Sequence, residues 1–325
     1  MLSKNRVKWF CSVDVLLVFI FFLPLAAAAV QNTDAGTSTW PWWFWPLILF
    51  VFCFALGIIA VLAGVGGGVL YVPLVSGFFP FHIDFVRGAG LMVALAGALA
   101  AGPGLLRRNL ASLRLALPVA LIASTFSIMG AMLGLYLSKI DPNIVQVCLG
   151  ATIVGIAVLI FLSKNTEKPV VNRQDAVGLA LGIKGTYLDE ATKEQIDWKT
   201  HRTLLGLVMF VFIGILAGMF GLGAGWANVP VLNLLLGVPL KISVATSKFL
   251  LSITDTSAAW IYMNKGCVIP LIAIPSIIGL MLGSFVGVKL LSVAKPKFIR
   301  LMVIFVLLFA GLKAIDKGLG LGVLG

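Results

Sequence analysis

Long apolar segments separated by short polar or charged breaks follow one another along most of the chain. They lie at about residues 43–63, 88–106, 115–137, 144–162, 203–220, 245–263, 268–291 and 299–315, with two shorter apolar pieces at 69–79 and 226–236. A segment of about 20 apolar residues matches the thickness of the hydrocarbon core of a bilayer. The pattern therefore predicts an all-α polytopic membrane protein.

Two glycine-rich motifs divide this pattern into similar halves. The first is GVGGG at residues 64–68, followed by Val72-Pro73, and the second is GLGAG at residues 221–225, followed by Val229-Pro230, about 157 residues later. Glycine tolerates unusual backbone angles and proline removes a hydrogen-bond donor, so each motif predicts a broken helix. Broken helices at corresponding positions of two halves indicate the binding site of a membrane transporter.

The motifs also predict the topology. If the chain turns back at each motif, each half holds one re-entrant helix pair and three transmembrane helices, an odd number that inverts the second half. Most basic residues then share the cytoplasmic side, as the positive-inside rule requires; those placed opposite are Arg87, Lys139, Lys265, Lys313 and Lys317. Two inverted repeats are therefore predicted.

Four regions follow from these boundaries. Residues 1–40 are expected to form a signal peptide or N-terminal anchor and a polar linker, because three basic residues precede a short apolar run and a stretch of alanines. Residues 41–162 form the first transmembrane repeat and residues 203–325 the second. Residues 163–202 are a cytoplasmic linker, in which alternating polar and apolar residues predict a small β-hairpin.

Composition supports a membrane protein and argues against several other classes. Of 325 residues, 60% are hydrophobic and 11% charged, with a mean hydropathy of +1.10. The net charge of +12 lies in short loops, so it indicates membrane orientation and not nucleic-acid binding. The four cysteines stand singly and no zinc motif occurs, so no metal and no cofactor is expected. No H-E-x-x-H, G-x-S-x-G or Walker A motif occurs either, so no enzyme is predicted.

Lys248 and Asp255 are the most informative single residues. Both lie in the apolar segment 245–263, where a charge is costly and indicates function by default. They are seven residues apart, about two turns, and therefore share a helix face. Lys248 is predicted to attract an anionic substrate and Asp255 to carry a coupling proton. The alternative is a structural ion pair in which each charge only neutralises the other.

The other predicted binding residues surround the two motifs. Freed backbone N–H groups and polar side chains there would suit an oxyanion; the candidates are Gly66, Gly67, Gly68, Gly223, Gly225, Asn228, Asn233, Thr246 and Ser247. Close helix packing is the alternative role for the glycines, favoured for scattered ones such as Gly134, and interhelical hydrogen bonding for the polar side chains. Arg87 either steers anions or, as favoured, anchors a helix at the membrane interface.

The second half resembles the sulfite exporter (TauE/SafE) family. The resemblance is carried by residues 218–226 (GMFGLGAGW), 229–233 (VPVLN), Lys241, 245–248 (ATSK), 254–260 (TDTSAAW), Tyr262 and 265–266 (KG), and it spans roughly residues 45–315. The first half matches more loosely, with Val86-Arg87-Gly88 in place of Ala245-Thr246-Ser247, so the role of these hydroxyls does not carry over to that half.

The resemblance implies a secondary transporter that exports sulfite, sulfonates or related sulfur-containing anions across the cytoplasmic membrane. Substrate, direction and coupling ion stay open. A membrane-embedded assembly factor and a passive anion channel are the alternatives. The expected partners are a small anionic substrate, the lipid bilayer and, for assembly, a second copy of the chain in a homodimer; no nucleic acid is expected.

Overall fold

The computed structural model describes residues 43–63, 66–79, 81–107, 112–162, 169, 174–188, 195–291 and 296–320. The predicted signal peptide or N-terminal anchor therefore lies outside the described residues. In the part described, helices account for nearly all regular structure.

Both halves have the same order of elements: one long helix, one short helical segment and three further long helices. The first half contains α1 (Phe44–Ala63), α2 (Gly67–Phe78), α3 (Ile83–Arg107), α4 (Leu113–Ile140) and α5 (Pro142–Leu162). The linker holds α6 (Ala176–Ala180), β1 (Lys184–Leu188) and β2 (Gln195–Lys199). The second half contains α7 (Thr203–Phe220), α8 (Gly225–Pro230) with a π-helical turn (Val231–Leu235), α9 (Leu240–Asn264), α10 (Pro270–Leu291) and α11 (Pro296–Leu319).

Four of the described helices are long and apolar enough to cross a membrane. They are Leu113–Ile140, Pro142–Leu162, Thr203–Phe220 and the part Pro270–Gly287 of α10. Their exposed side chains are mostly large and hydrophobic, as a lipid-facing surface requires. The prediction of a helical membrane protein is confirmed at this level.

The glycine motifs mark the ends of helices, as predicted, but the prolines do not. α1 ends at Ala63 and α2 begins at Gly67, while α7 ends at Phe220 and α8 begins at Gly225. Residues 64–65 lie outside the described residues. Pro73 and Pro230 lie within the short helices that follow the breaks. Pro230 has no N–H to donate to the helix, and the π-helical turn begins at the next residue.

Each short helix leads the chain back towards the start of the helix before it. The Trp45 ring at the start of α1 lies 6.1 Å from that of Phe79, which follows α2. The N–H of His201, just before α7, donates to the Leu236 carbonyl after the π-helical turn, at 3.1 Å. The end of each short helical segment thus lies beside the start of the long helix that precedes it.

Helices α10 and α1 pack in parallel through two glycines. A Cβ atom at Gly279 would overlap the Phe50 carbonyl oxygen, and one at Gly283 would overlap that of Phe54. Backbones can approach this closely only where side chains are absent. The contact joins the second half to the first.

Helices α4 and α7 repeat this arrangement with the halves exchanged. A Cβ atom at Gly130 would overlap the Ile215 backbone, and one at Gly134 would lie 2.6 Å from the Met219 carbonyl oxygen. Residues 130–134 (GAMLG) and 279–283 (GLMLG) share a pattern of two glycines four residues apart, and in both places these glycines allow close helix packing. The packing role favoured for Gly134 agrees with this contact.

Helices α3 and α9 run antiparallel at the centre of the molecule. A Cβ atom at Gly88, near the start of α3, would lie 2.6 Å from the carbonyl oxygen of Cys267, beyond the end of α9. After the end of α3, the Ser112 N–H donates to the hydroxyl oxygen of Thr246, near the start of α9, at 3.2 Å. These two helices carry the charged candidate residues.

The linker forms the predicted β-hairpin. Strands β1 and β2 pair antiparallel, from Lys184 opposite Lys199 to Leu188 opposite Gln195. Asp175 connects this unit to α7, since its carboxylate accepts hydrogen bonds from the Thr203 N–H at 2.9 Å and the Thr203 hydroxyl at 2.8 Å. The linker therefore caps the first turn of α7.

Substitution of Gly283 tests the cross-half packing. We expect Gly283→Ala to lower the free energy of unfolding by about 1–3 kcal/mol, the usual cost of overpacking, because the methyl group would overlap the Phe54 backbone. Gly155→Ala in α5 is the matched control, since a Cβ atom there meets nothing within 4 Å. Thermal unfolding in detergent measures both. Equal midpoints for the two variants would contradict the packing.

Candidate functional site

The two glycine breaks meet each other. A Cβ atom at Gly225 would lie 3.6 Å from the Cα atom of Gly66, and one at Gly68 would lie 2.6 Å from the Leu222 carbonyl oxygen. Gly221 and Gly223 have φ angles of 68° and 69°, which L-residues with a Cβ atom rarely adopt. The absence of side chains thus brings the backbones of both halves together at one place.

Asp255 points into the second break. Asp255 is fully buried, and a Cβ atom at Gly223 would lie 2.9 Å from the Asp255 Oδ2 atom. The Thr254 hydroxyl lies 3.5 Å from Oδ1. Oδ2 itself has no hydrogen-bond partner among the described atoms. Half of this buried carboxylate is therefore available to a ligand or a proton.

Lys248 lies on the same helix but does not form an ion pair with Asp255. Both residues are described, and no nitrogen–oxygen distance of 4 Å or less joins their charged groups. Lys248 is partly exposed, whereas Asp255 is buried. The direct structural ion pair, which the sequence leaves open, is thus absent between these two described residues.

Asn228 and Trp226 add further polar groups without partners. Both amide atoms of Asn228, Oδ1 and Nδ2, are buried and unpaired among the described atoms, and so is the indole N–H of Trp226. Buried polar groups in folded proteins are nearly always hydrogen-bonded, so each exception requires an explanation. A bound polar ligand would satisfy these three groups.

The packing of α8 on α9 brings Asn228 towards Lys248. Gly223 lies against Asp255, and a Cβ atom at Gly225 would lie 3.1 Å from the Leu251 side chain, so the two segments run antiparallel. One further turn along this register leads from Gly225 to Asn228 and from Leu251 to Lys248. We therefore expect the Asn228 amide and the Lys248 ammonium group to lie near each other at the interface between α8 and α9.

Several predicted binding residues have structural partners instead. The Asn233 amide donates to the Val238 carbonyl at 2.9 Å and fixes the loop after the π-helical turn. The Thr246 hydroxyl accepts the hydrogen bond of the Ser112 N–H. Ser247 is buried beside them. A Cβ atom at Gly67 would lie 2.8 Å from the Leu280 side chain, so this glycine gives room to α10.

Arg87 differs from the interfacial anchor that the sequence favours. Its side chain is completely buried and forms an ion pair with Asp84. Its guanidinium carbon lies 5.7 Å from the centre of the Tyr262 ring. Asp84 lies one turn earlier on the same helix, whereas Met219 and Tyr262 come from α7 and α9. The local sequence therefore gives a signal of the ion pair but none of the burial. Trp260, in contrast, is 61% exposed.

The first half has no counterpart of the Asn228 amide. Tyr71 occupies the equivalent place in α2, two residues before Pro73, as Asn228 stands two residues before Pro230. Its hydroxyl is buried and lies 3.2 Å from the Ser276 hydroxyl, so its hydrogen bond is satisfied within the protein. The unpaired amide of Asn228 therefore has no counterpart at Tyr71 in the first half.

The described residues hold no group of three or more His, Cys, Asp or Glu that could bind a metal ion. The candidate site consists of an amide, an indole N–H, an ammonium group and a carboxylate. This set of groups suits hydrogen bonding to a small polar or charged solute.

Comparison with known proteins identifies the family of this chain. A family model described as "Sulfite exporter TauE/SafE" matches residues 49–314. The chain belongs to this family. The match covers both halves and both breaks, as the resemblance in the sequence predicts.

Two curated relatives extend the comparison. "Probable membrane transporter protein YunE" of Bacillus subtilis (strain 168) is 25% identical over 271 residues, covering 81% of this chain and 94% of that protein. "Probable membrane transporter protein MJ0441" of Methanocaldococcus jannaschii is 23% identical over 271 residues, covering 79% and 90%. No solved structure matches the chain. Family and relatives identify a membrane transporter.

Two asparagines provide a test of the site. We expect Asn228→Leu to raise the free energy of unfolding of the ligand-free protein by up to about 1–3 kcal/mol, because it removes an unsatisfied buried amide. Asn233→Leu, the matched control, should lower it, because that amide donates to Val238. Thermal unfolding in detergent measures both. A similar loss in both variants would show that the Asn228 amide has a structural partner.

Proposed function

We propose that this protein is a secondary transporter that exports small sulfur-containing anions, such as sulfite or organosulfonates, in exchange with protons. The observation that carries the proposal is the set of buried polar groups of Trp226, Asn228 and Asp255 that have no partner among the described atoms at the second glycine break. Lys248 lies two turns before Asp255 on the same helix. Membership of the sulfite exporter family supports the choice of anion. We place the protein in the cytoplasmic membrane as a multi-pass protein.

The residues divide into two roles in this proposal. Lys248, Asn228 and the indole of Trp226 donate hydrogen bonds to the anion, and the ammonium group balances its charge. Asp255 carries the coupling proton, since its Oδ2 atom has no partner and a buried carboxylate is costly to leave ionised. A separated pair suits this division better than a direct ion pair, because each charge stays available to its own ligand.

We further propose that the halves are inverted repeats, each with a re-entrant helix pair. The antiparallel course of α3 and α9 and the return of the chain after both breaks support this topology. The test uses a protein variant without the native cysteines in oriented membranes. An impermeant maleimide should label Lys265→Cys from outside and Thr186→Cys only from the cytoplasmic side. Labelling of both residues from one side would contradict the inverted arrangement.

Flux into proteoliposomes tests the transport proposal. Sulfite, thiosulfate, sulfoacetate and taurine serve as substrates, with and without a pH gradient. We expect at least one anion to move against its gradient when protons flow the other way. Flux that only dissipates the anion gradient would identify a channel, and binding of cations alone would exclude the anion assignment.

Variants of Lys248 and Asp255 test the roles within the site. Lys248→Gln should abolish anion binding while the protein still folds, because it removes the charge and keeps hydrogen-bonding capacity. Asp255→Asn should preserve binding and lose the dependence on the pH gradient. The double variant should fold and lack coupled flux. Full proton-coupled flux in the double variant would rule out both assignments.

A further inference from the structure

We propose that Arg87 is a positioning residue for the candidate anion site, which it does not itself contact. It lies in α3 of the first half and holds the end of α7, and thereby the second glycine break, in place. The inference rests on the proposed function, because the break it positions is the one that carries the binding groups.

The need for such a residue follows from the end of α7. The last four carbonyl groups of a helix have no partners within it. Gly218, Phe220 and Gly221 are buried and Met219 is half-buried, so bulk water has little access to this helix end. Donors from other parts of the protein must satisfy these carbonyl groups.

Arg87 and Tyr262 supply these donors. The Arg87 Nη1 atom donates to the Met219 carbonyl at 2.8 Å. The Tyr262 hydroxyl lies 3.1 Å from the carbonyl oxygens of both Gly218 and Met219. The end of a second-half helix is therefore capped from α3 and α9 together.

The backbone of Arg87 fixes the same segment. A Cβ atom at Gly221 would overlap the Arg87 carbonyl oxygen, so the chain after α7 lies directly on α3. Two residues later, Gly223 lies against the Asp255 carboxylate. A shift of this segment would consequently move the glycine that adjoins the proposed proton carrier.

Neighbouring groups balance the buried guanidinium charge and leave space for it. Asp84 balances it, and the Ser138 hydroxyl donates to Asp84 Oδ2 at 3.1 Å. A Cβ atom at Gly134 would lie 2.8 Å from Nη1, so a glycine leaves room for the group. His82, 49% exposed, lies 3.6 Å from Asp84. Guanidinium offers several donors in a fixed plane, which a lysine cannot replace.

Three variants test the positioning role. The double variant Arg87→Gln/Asp84→Asn removes both charges without leaving either one unpaired, Tyr262→Phe removes one hydroxyl group, and Arg87→Lys keeps the charge but not the planar donors. Gly283→Ala is the control for lost stability, because it weakens the contact of α1 with α10 and lies outside the site.

Two measurements are needed at a temperature where every variant is folded. Anion binding should weaken by about tenfold in the Arg87 variants, as expected when a hydrogen bond to a charged group is lost, and by less in Tyr262→Phe. Amide hydrogen exchange at residues 220–225 should accelerate in the same variants. Gly283→Ala should change neither, although its melting temperature falls.

The outcomes separate the two proposals. If the Arg87 variants melt earlier but bind and exchange like the Gly283→Ala control, Arg87 has only a general structural role and the inference is wrong. If the wild-type protein binds none of the four sulfur-containing anions, the proposed function fails. Amide exchange at residues 220–225 then still decides whether Arg87 holds the break.

Discussion

Interrupting a helix inside an apolar protein leaves backbone carbonyl and N–H groups that water cannot satisfy, and the arrangement of the other helices follows from this constraint. At the end of α7 the Arg87 guanidinium and the Tyr262 hydroxyl meet the Gly218 and Met219 carbonyl groups. Within the break, Gly223 lies against the Asp255 carboxylate of α9. Helices α3 and α9 must therefore flank the break, and this requirement places the two helices at the centre of the molecule.

The same constraint explains why the buried charges lie on two helices. α4, α5, α7 and much of α10 are apolar enough to face lipid, whereas Arg87 and Asp255, the buried charged residues of the described part, lie on α3 and α9. A charge facing lipid would be costly, so α3 and α9 pack against each other in the interior. Surface helices isolate this polar interior from the bilayer.

Sequence reasoning located the breaks and the hairpin, because each depends on residues close together in the chain. Asn228 and Asn233 show a distinction that sequence reasoning could not make. Both are asparagines near the second break, yet the amide of Asn233 donates to Val238 and that of Asn228 lacks partners. The burial of Arg87 likewise depends on Met219, 132 residues away. Such distinctions arise from tertiary contacts that no local pattern encodes.

The glycine contacts between α1 and α10 and between α4 and α7 limit how the protein can move. Each contact joins a helix of one half to a helix of the other through touching backbones. A motion of one half as a rigid body against the other would separate both contacts at once. The mechanical units of the molecule are consequently not its two sequence repeats but the helix pairs that combine them. Any change that exposes the site to one side must shift these mixed pairs relative to α3 and α9.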